Sequence, residues 1–189
     1  MNRLTTSTRL AAATFCTLSF AAVAQQDAHP HHPAPATATP AAHGHAGYAG
    51  LQHREIKALS AQQIDGYRTA RGMGLAMAAE LNGYPGPMHV LELAAQLGLS
   101  ADQESKTKAI FQAMQAQAKQ VGEAIIDAER ELDALFATRS ATPAGIATQT
   151  QRIAHLQGKL RAVHLASHLD MMKVLSAEQV QSYNRLRGY

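Results

Sequence analysis

The sequence has very little cysteine, no tryptophan and few other aromatic side chains. Its single cysteine, Cys16, lies in an N-terminal stretch that we predict to be cleaved off, so the mature chain would have neither disulfides nor thiol chemistry. Aromatic residues make up only 5% of the 189 residues, while alanine is abundant. A chain of this composition is long enough for one domain with a modest core, and that core must be thin.

Neither sign of charge dominates the sequence. The formal net charge is +3, with 17 Lys and Arg against 14 Asp and Glu. Arg3 and Arg9 belong to the stretch predicted to be removed, which leaves the mature chain close to neutral. This balance argues against a nucleic-acid partner.

The motifs of common enzymes are also missing. The sequence contains no Gly-x-Ser-x-Gly, no phosphate-binding loop and no His-Glu-x-x-His. We therefore expect a protein that is not an enzyme. No stretch alternates as a half-buried strand does, which favours an all-α fold.

The N-terminal residues 1–24 have the pattern of a secretory signal peptide. Two arginines precede an apolar run over residues 10–20, and the stretch ends in Ala22-Val23-Ala24. The run is shorter than a typical membrane span, so we expect no stable membrane insertion. The pattern predicts export, with a periplasmic location for the mature chain.

Residues 25–50 are rich in histidine, proline and alanine, and we predict this tract to be disordered. Imidazoles on a flexible tract can capture transition metals at low affinity. The alternative is a solvated linker whose histidines add only buffering and solubility. The histidines concerned are His29, His31, His32, His43 and His45.

One pattern, Leu-Ser-Ala-x-Gln, occurs three times in the remaining sequence. Serine at an N-cap accepts a hydrogen bond from the amide three residues on, and glutamine there reaches back to the N-cap amide. Each copy therefore predicts a helix start. The capping residues are Leu59, Ser60 and Gln63; Leu99, Ser100 and Gln103; and Leu175, Ser176 and Gln179.

These starts and the apolar spacing predict a helical domain over residues 51–189. We expect helices over residues 60–81, 88–97, 100–137, 143–174 and 176–187. The longest carries an uninterrupted heptad seam, which must pack against another helix. The predicted architecture is an elongated antiparallel helical hairpin with shorter flanking helices, and its small core favours a homodimer. The seam residues are Phe111, Met114, Ala118, Val121, Ile125, Ala128, Leu132 and Leu135.

Three histidines of this domain could form a metal site. His164 and His168 are four residues apart, so both lie on one face of a helix and can share an ion. His89 follows a Pro-Gly-Pro break and could supply a third ligand. Nearby thioethers would suit Cu(I), and the imidazoles would suit Cu, Zn, Ni or Co. Alternatively, the histidine pair is structural or merely hydrated. The thioethers belong to Met88, Met171 and Met172.

The signal peptide, the long helical hairpin and the repeated Leu-Ser-x-x-Gln motif resemble the LTxxQ family of periplasmic proteins. That family includes the Spy and CpxP chaperones and the ZraP- and CnrX-like metal-binding proteins. The resemblance covers about residues 87–187 well. It implies a four-helix hairpin that dimerises into a curved cradle.

The resemblance also implies two functions. In its metal-sensing members, histidines of an early helix and of the last long helix bind transition metals, and His89, His164 and His168 match or lie near these positions. The carboxylate that the sensors add is not matched, because Phe111 lies close to its expected position. The expected function is heavy-metal binding in metal sensing, resistance or envelope stress. The alternative is an ATP-independent chaperone that holds unfolded envelope proteins, and a membrane-bound sensor is a further possible partner.

Overall fold

The computed structural model describes residues 46–189, and every structural statement below concerns this part of the chain. Within it the secondary structure is entirely helical, which confirms the all-α prediction. The predicted signal peptide and the five tail histidines lie outside the described residues. At the end of the predicted disordered tract, Ala46–Tyr48 forms a short 3-10 turn.

Seven α-helices follow one another along the described chain. Their bounds are α1 Ala61–Thr69, α2 Met77–Glu80, α3 Pro87–Glu92, α4 Ala94–Leu97, α5 Ala101–Ala137, α6 Pro143–Met171 and α7 Ala177–Arg187, with a further 3-10 turn at Leu51–His53.

Helices α5 and α6 form an antiparallel hairpin that makes the most extensive packing between elements. With 37 residues, α5 is about 55 Å long. Thr142 caps α6 by accepting a hydrogen bond from the Gly145 amide at 3.1 Å, and Pro143 occupies the first helical position. The middle of the predicted seam, from Ala118 to Ala128, is buried against the neighbouring elements.

The three Leu-Ser-Ala-x-Gln copies each form a complete capping box. The hydroxyls of Ser60, Ser100 and Ser176 accept from the amide three residues on at 3.1 to 3.2 Å. In return, the backbone amides of these serines donate to the glutamine Oε1 atoms at 2.9 to 3.1 Å. Helices α1, α5 and α7 therefore begin where the motif predicted.

Two of these motifs also bind each other. The Gln103 side-chain amide donates to Gln179 Oε1 at 2.8 Å, and the Gln179 amide donates to Gln103 Oε1 at 3.1 Å. The same two amides also donate to the carbonyls of Val174 and Leu97. We call this arrangement the glutamine clasp. It joins the start of α5 to the start of α7 beside a core cluster that contains Val90, Leu97, Met171, Leu175 and Tyr183.

The prediction of one helix over residues 60–81 was wrong. Helix α1 ends at Thr69, because Ala70 adopts a left-handed conformation and is buried on the hairpin. Met73 folds back so closely over Gly66 that a Cβ there would lie 2.4 Å from the Met73 sulfur. The reversal lets α2 form separately against α6.

Two other helix boundaries also differ from the sequence expectation. The helix predicted over residues 88–97 begins one residue earlier and is interrupted at Leu93, whose backbone leaves the helical region. Helix α6 ends at Met171, and residues 172–174 form a turn. Among the described residues, no helix is both long enough and apolar enough to cross a membrane.

Candidate functional site

A cavity of about 340 Å³ lies between the hairpin, the short helices and the C-terminal segment. We call it the histidine cavity, because His89, His164 and His168 all line it. The remaining lining comes mostly from small and apolar residues, and it includes the side chains of Met77, Leu81, Met88, Phe111 and Met114.

His164 and His168 lie one turn apart on α6 and are almost completely buried. Their exposed fractions are 4% and 6%. The Nε2 atom of His164 is buried and has no hydrogen-bond partner within the described chain. A buried polar atom without a partner is costly, and it commonly indicates a bound water molecule or ion.

Burial also sets the protonation state of His164. Removal from water lowers the pKa of this imidazole below its usual 6.5, and the neighbouring His168 lowers it further. His164 is therefore neutral at pH 7, which is the form that binds metals. The sequence predicted neutral, half-buried imidazoles here, and the burial is more complete than expected.

The tautomer of His168 follows from its contact with the loop before α3. Its Nδ1 atom lies 2.7 Å from the Tyr84 carbonyl oxygen, which can only accept, so Nδ1 carries the hydrogen. The lone pair of neutral His168 is therefore on Nε2. Gly86 permits this close approach, since a Cβ at that position would lie 3.0 to 3.3 Å from two atoms of the ring.

His89 shares the cavity but is engaged differently. Its Nδ1 atom contacts Glu92 Oε2 at 2.8 Å on the more exposed side of α3. Within residues 46–189, no three side chains of His, Cys, Asp or Glu converge as a metal-binding group. The structure therefore brings the three predicted histidines to one cavity without bringing them into one coordination sphere.

Three methionine thioethers supplement the imidazoles. Met77, Met88 and Met114 line the histidine cavity, whereas Met171 is fully buried in the core and Met172 is exposed. The sequence analysis named Met88 for this role. It assigned Met114 to the heptad seam, and the break between α1 and α2 that brings Met77 here was not predicted.

Glu80 and Arg187 are charged residues of the cavity that sequence reasoning missed, and Glu80 is the carboxylate of the two. Its Oε1 atom accepts hydrogen bonds from the Tyr183 hydroxyl, the Arg187 guanidinium and the Tyr189 hydroxyl at 2.5 to 3.3 Å. Its Oε2 atom lies 3.7 Å from His168 Nδ1. No spacing rule connects residue 80 with residue 168, so only the fold could reveal this pair.

The position of this carboxylate differs from the one that the resemblance implied. A sensor-type site would place it on the first long helix, near Phe111. Phe111 does line the cavity, but it offers no ligand atom. The carboxylate that lines the cavity is that of Glu80, which belongs to α2.

The donor set fits a soft or borderline transition metal. Imidazoles and nearby thioethers are ligands that Cu(I) accepts, and imidazole alone also suits Zn²⁺, Ni²⁺ and Co²⁺. The Nδ1–H of His168 on a backbone carbonyl is the outer contact that orients metal-binding histidines. The unpartnered Nε2 of His164 is the atom that an ion would satisfy.

Comparison with protein-family models found a match to this chain. A family model described as heavy-metal resistance matches residues 72–182, which is more than half of the chain. The match contains the histidine cavity apart from the last residues, as well as both halves of the glutamine clasp. No curated protein and no solved structure shows a significant match.

Proposed function

The chain belongs to the heavy-metal resistance family, and from this premise we propose that it is a periplasmic heavy-metal-binding protein that acts in metal sensing, resistance or envelope stress. In this proposal the protein is a binding protein and not an enzyme. The predicted signal peptide supports the periplasmic location.

The observation that carries the proposal is the buried, unpartnered Nε2 of His164 beside His168. The Nε2 atom in this position loses its hydrogen bond to water when the chain folds and gains none in return from the described chain. A bound cation would remove this penalty. The neutral state that burial imposes keeps the imidazole ready to bind at pH 7.

The residues that would hold the ion are His164 and His168, with thioethers of the cavity as further ligands. A transition metal bound there supplies Lewis acidity but no catalytic step. The apolar side chains around the imidazoles limit access of water, and such surroundings favour soft metal ions over strongly hydrated ones. The five tail histidines would add capture of lower affinity.

The direct test is a metal titration of the His164→Ala/His168→Ala variant in the full chain. We expect the affinity for Cu(I), measured with a competing chelator, to fall at least about 100-fold when both imidazoles are lost. Titrations with Zn²⁺, Ni²⁺ and Co²⁺ by calorimetry would rank the ions.

Two control variants make this test specific. His155→Ala removes an exposed histidine of the same helix and should leave the affinity unchanged. A second variant replaces all five tail histidines with alanine and should lose only weak binding. Unchanged tight binding in the His164/His168 variant would refute the proposed site.

A chaperone function is the second candidate, and exposed side chains near α2 favour it. Met73, Met77 and Leu81 are 44 to 58% exposed and lie close together along the chain. Unbranched thioether side chains adapt to varied partners. Such a surface could hold unfolded envelope proteins without ATP.

This second function can be tested by light scattering with a chemically denatured client. We expect the wild-type protein to suppress aggregation and a Met73→Ser/Met77→Ser variant to suppress it several-fold less, because the apolar contact area is reduced. The variant Met172→Ser, at an exposed methionine elsewhere, serves as the control. Absence of suppression at an excess of wild-type protein would eliminate this candidate.

A further inference from the structure

Glu80 connects the histidine cavity to the C-terminal end of the protein. One of its oxygens, Oε1, binds three side chains from α7 and the residues after it, and these are Tyr183, Arg187 and Tyr189. The other oxygen, Oε2, faces His168. The carboxylate is only 13% exposed, so these contacts are largely shielded from solvent.

The contacts on the α7 side form one cluster around this carboxylate. The Tyr183 hydroxyl donates to Glu80 and accepts a hydrogen bond from the Gly86 amide at 3.3 Å. The Arg187 guanidinium carbon lies 5.8 Å from the centre of the Tyr189 ring. We call Glu80 with Tyr183, Arg187 and Tyr189 the C-terminal clamp.

We propose that the C-terminal clamp couples ion binding in the histidine cavity to the packing of α7, with Glu80 as the positioning residue that links them. This inference rests on the proposed function, since it assigns a form of regulation to the same site. An ion held through Nε2 of His164 and of His168 would make the His168 ring more positive, and Glu80 Oε2 lies 3.7 Å from the Nδ1 atom of that ring. The ring would thereby hold in place the carboxylate that binds α7 through Oε1.

Whether ion binding strengthens or weakens the packing of α7 follows from the contacts of the two Glu80 oxygens. Positive charge that an ion on Nε2 would place on the His168 ring would attract Oε2 without requiring Oε1 to release Tyr183 or Arg187. The His168 ring at one oxygen and Arg187 at the other would both stabilise the ionised, ordered carboxylate. Because coupling is reciprocal, ion binding tightens the C-terminal turn, and an intact clamp raises the affinity for the ion.

The first arm of the test measures Cu(I) affinity in the full chain after a change on the α7 side of Glu80, at a residue that offers no metal ligand. Arg187→Ala removes one clamp partner of Glu80 and should weaken Cu(I) binding about fivefold. Arg185→Ala is the matched control, because Arg185 lies on the same helix and contacts only Ser182 Oγ. We expect it to bind Cu(I) as the wild type does.

The second arm measures hydrogen exchange of the amides from residue 184 to residue 189 with and without Cu(I). In the wild type, Cu(I) should slow this exchange about fivefold or more. Glu80→Gln should bind Cu(I) about tenfold more weakly and, once saturated, should lose the slowing. Glu178→Gln, an exposed carboxylate of α7, should behave as the wild type.

The possible outcomes separate the coupling from the binding function. Two outcomes would overturn the coupling alone. In the first, Cu(I) binding depends on His164 but is unaffected by Arg187→Ala. In the second, Cu(I) still slows hydrogen exchange in Glu80→Gln. Faster exchange with Cu(I) would also overturn it, since Glu80 would then leave the clamp to bind the ion. If Cu(I) binding does not depend on His164, both proposals are overturned.

Discussion

At the scale of single residues, a close approach between the backbones of α1 and α5 depends on Gly122 in the middle of α5. A Cβ at this position would lie 2.6 Å from the Tyr67 carbonyl oxygen and 3.0 Å from its carbon. Since these are backbone atoms of α1, they cannot move aside without shifting the helix. Gly122 therefore sets the distance between α1 and the hairpin.

We expect Gly122→Ala to lower the free energy of unfolding by about 1–3 kcal/mol, because the added methyl group separates α1 from α5. Gly158→Ala is the matched control, since it lies inside α6 and a Cβ there meets nothing within 4 Å. That change should raise stability by about 0.5–1 kcal/mol through helix propensity. Urea denaturation checks both, and equal effects of the two variants would contradict the close approach.

The lowered pKa of His164 predicts how stability depends on pH. A histidine whose pKa is lower in the folded chain than the usual 6.5 binds protons more readily when unfolded. Its contribution to stability is therefore complete above the unfolded pKa and is lost as the pH falls through the folded pKa. Metal affinity should decline over the same range, because protons compete for the imidazole.

This dependence can be measured by denaturation between about pH 7 and about pH 5 in the presence of a chelator. We expect the free energy of unfolding to fall with decreasing pH in the wild type and less steeply in His164→Gln. His155→Gln removes an exposed histidine of α6 and should keep the wild-type slope. A His164→Gln profile parallel to the wild type would count against the burial effect.

At the scale of elements, the three copies of the capping motif are not equivalent. The glutamines of the second and third copies form the clasp, whereas the side chain of Gln63 bonds only within its own capping box. The sequence shows three similar starts. It contains no sign that two of them meet, because that contact depends on where the hairpin places α7.

Because only Gln103 and Gln179 form the clasp, the same glutamine-to-alanine substitution should lower the free energy of unfolding by different amounts at residues 63 and 103. Gln63→Ala should reduce stability by about 1 kcal/mol or less, as expected for a capping contact. Gln103→Ala should cost about 2 kcal/mol or more, since it also leaves part-buried partners of the clasp unsatisfied. Thermal or urea denaturation distinguishes the two.

The double variant Gln103→Ala/Gln179→Ala provides the internal check. Because the two residues share the same hydrogen bonds, the double variant should lose less free energy of unfolding than the two single variants lose together. Strict additivity would mean that the two amides act independently.

Element boundaries show where local sequence signals suffice. Capping boxes and the heptad seam predicted α5 and α7 to within a residue, because caps and apolar spacing act locally. The break at Ala70 was missed, since alanine carries no local signal for a left-handed conformation. It is imposed by the burial of Ala70 against the hairpin.

At the scale of the whole molecule, the chain is built around one long hairpin with short helices packed on it. Several large apolar side chains remain exposed on it, among them Phe136 and Leu169 at 57% and 56%. A thin core together with exposed apolar surface supports the prediction of a homodimer, which stays a prediction.

Sedimentation of the mature protein tests this prediction. We expect a dimer at micromolar concentrations that dissociates on dilution, because an interface formed by scattered apolar residues is modest in size. The same measurement with Cu(I) would reveal whether ion binding changes the assembly. A monomer at every concentration would contradict the prediction.

The amino-acid sequence is sufficient to predict the helical class, the hairpin and the three helix starts, because periodicity and capping depend on residues near one another in the chain. It also identified His164 and His168, since their spacing alone puts them on one face. Tertiary structure decided the rest. It brought Glu80, Tyr84 and the C-terminal residues to those histidines, because contacts between residues about 100 positions apart depend on how the helices pack.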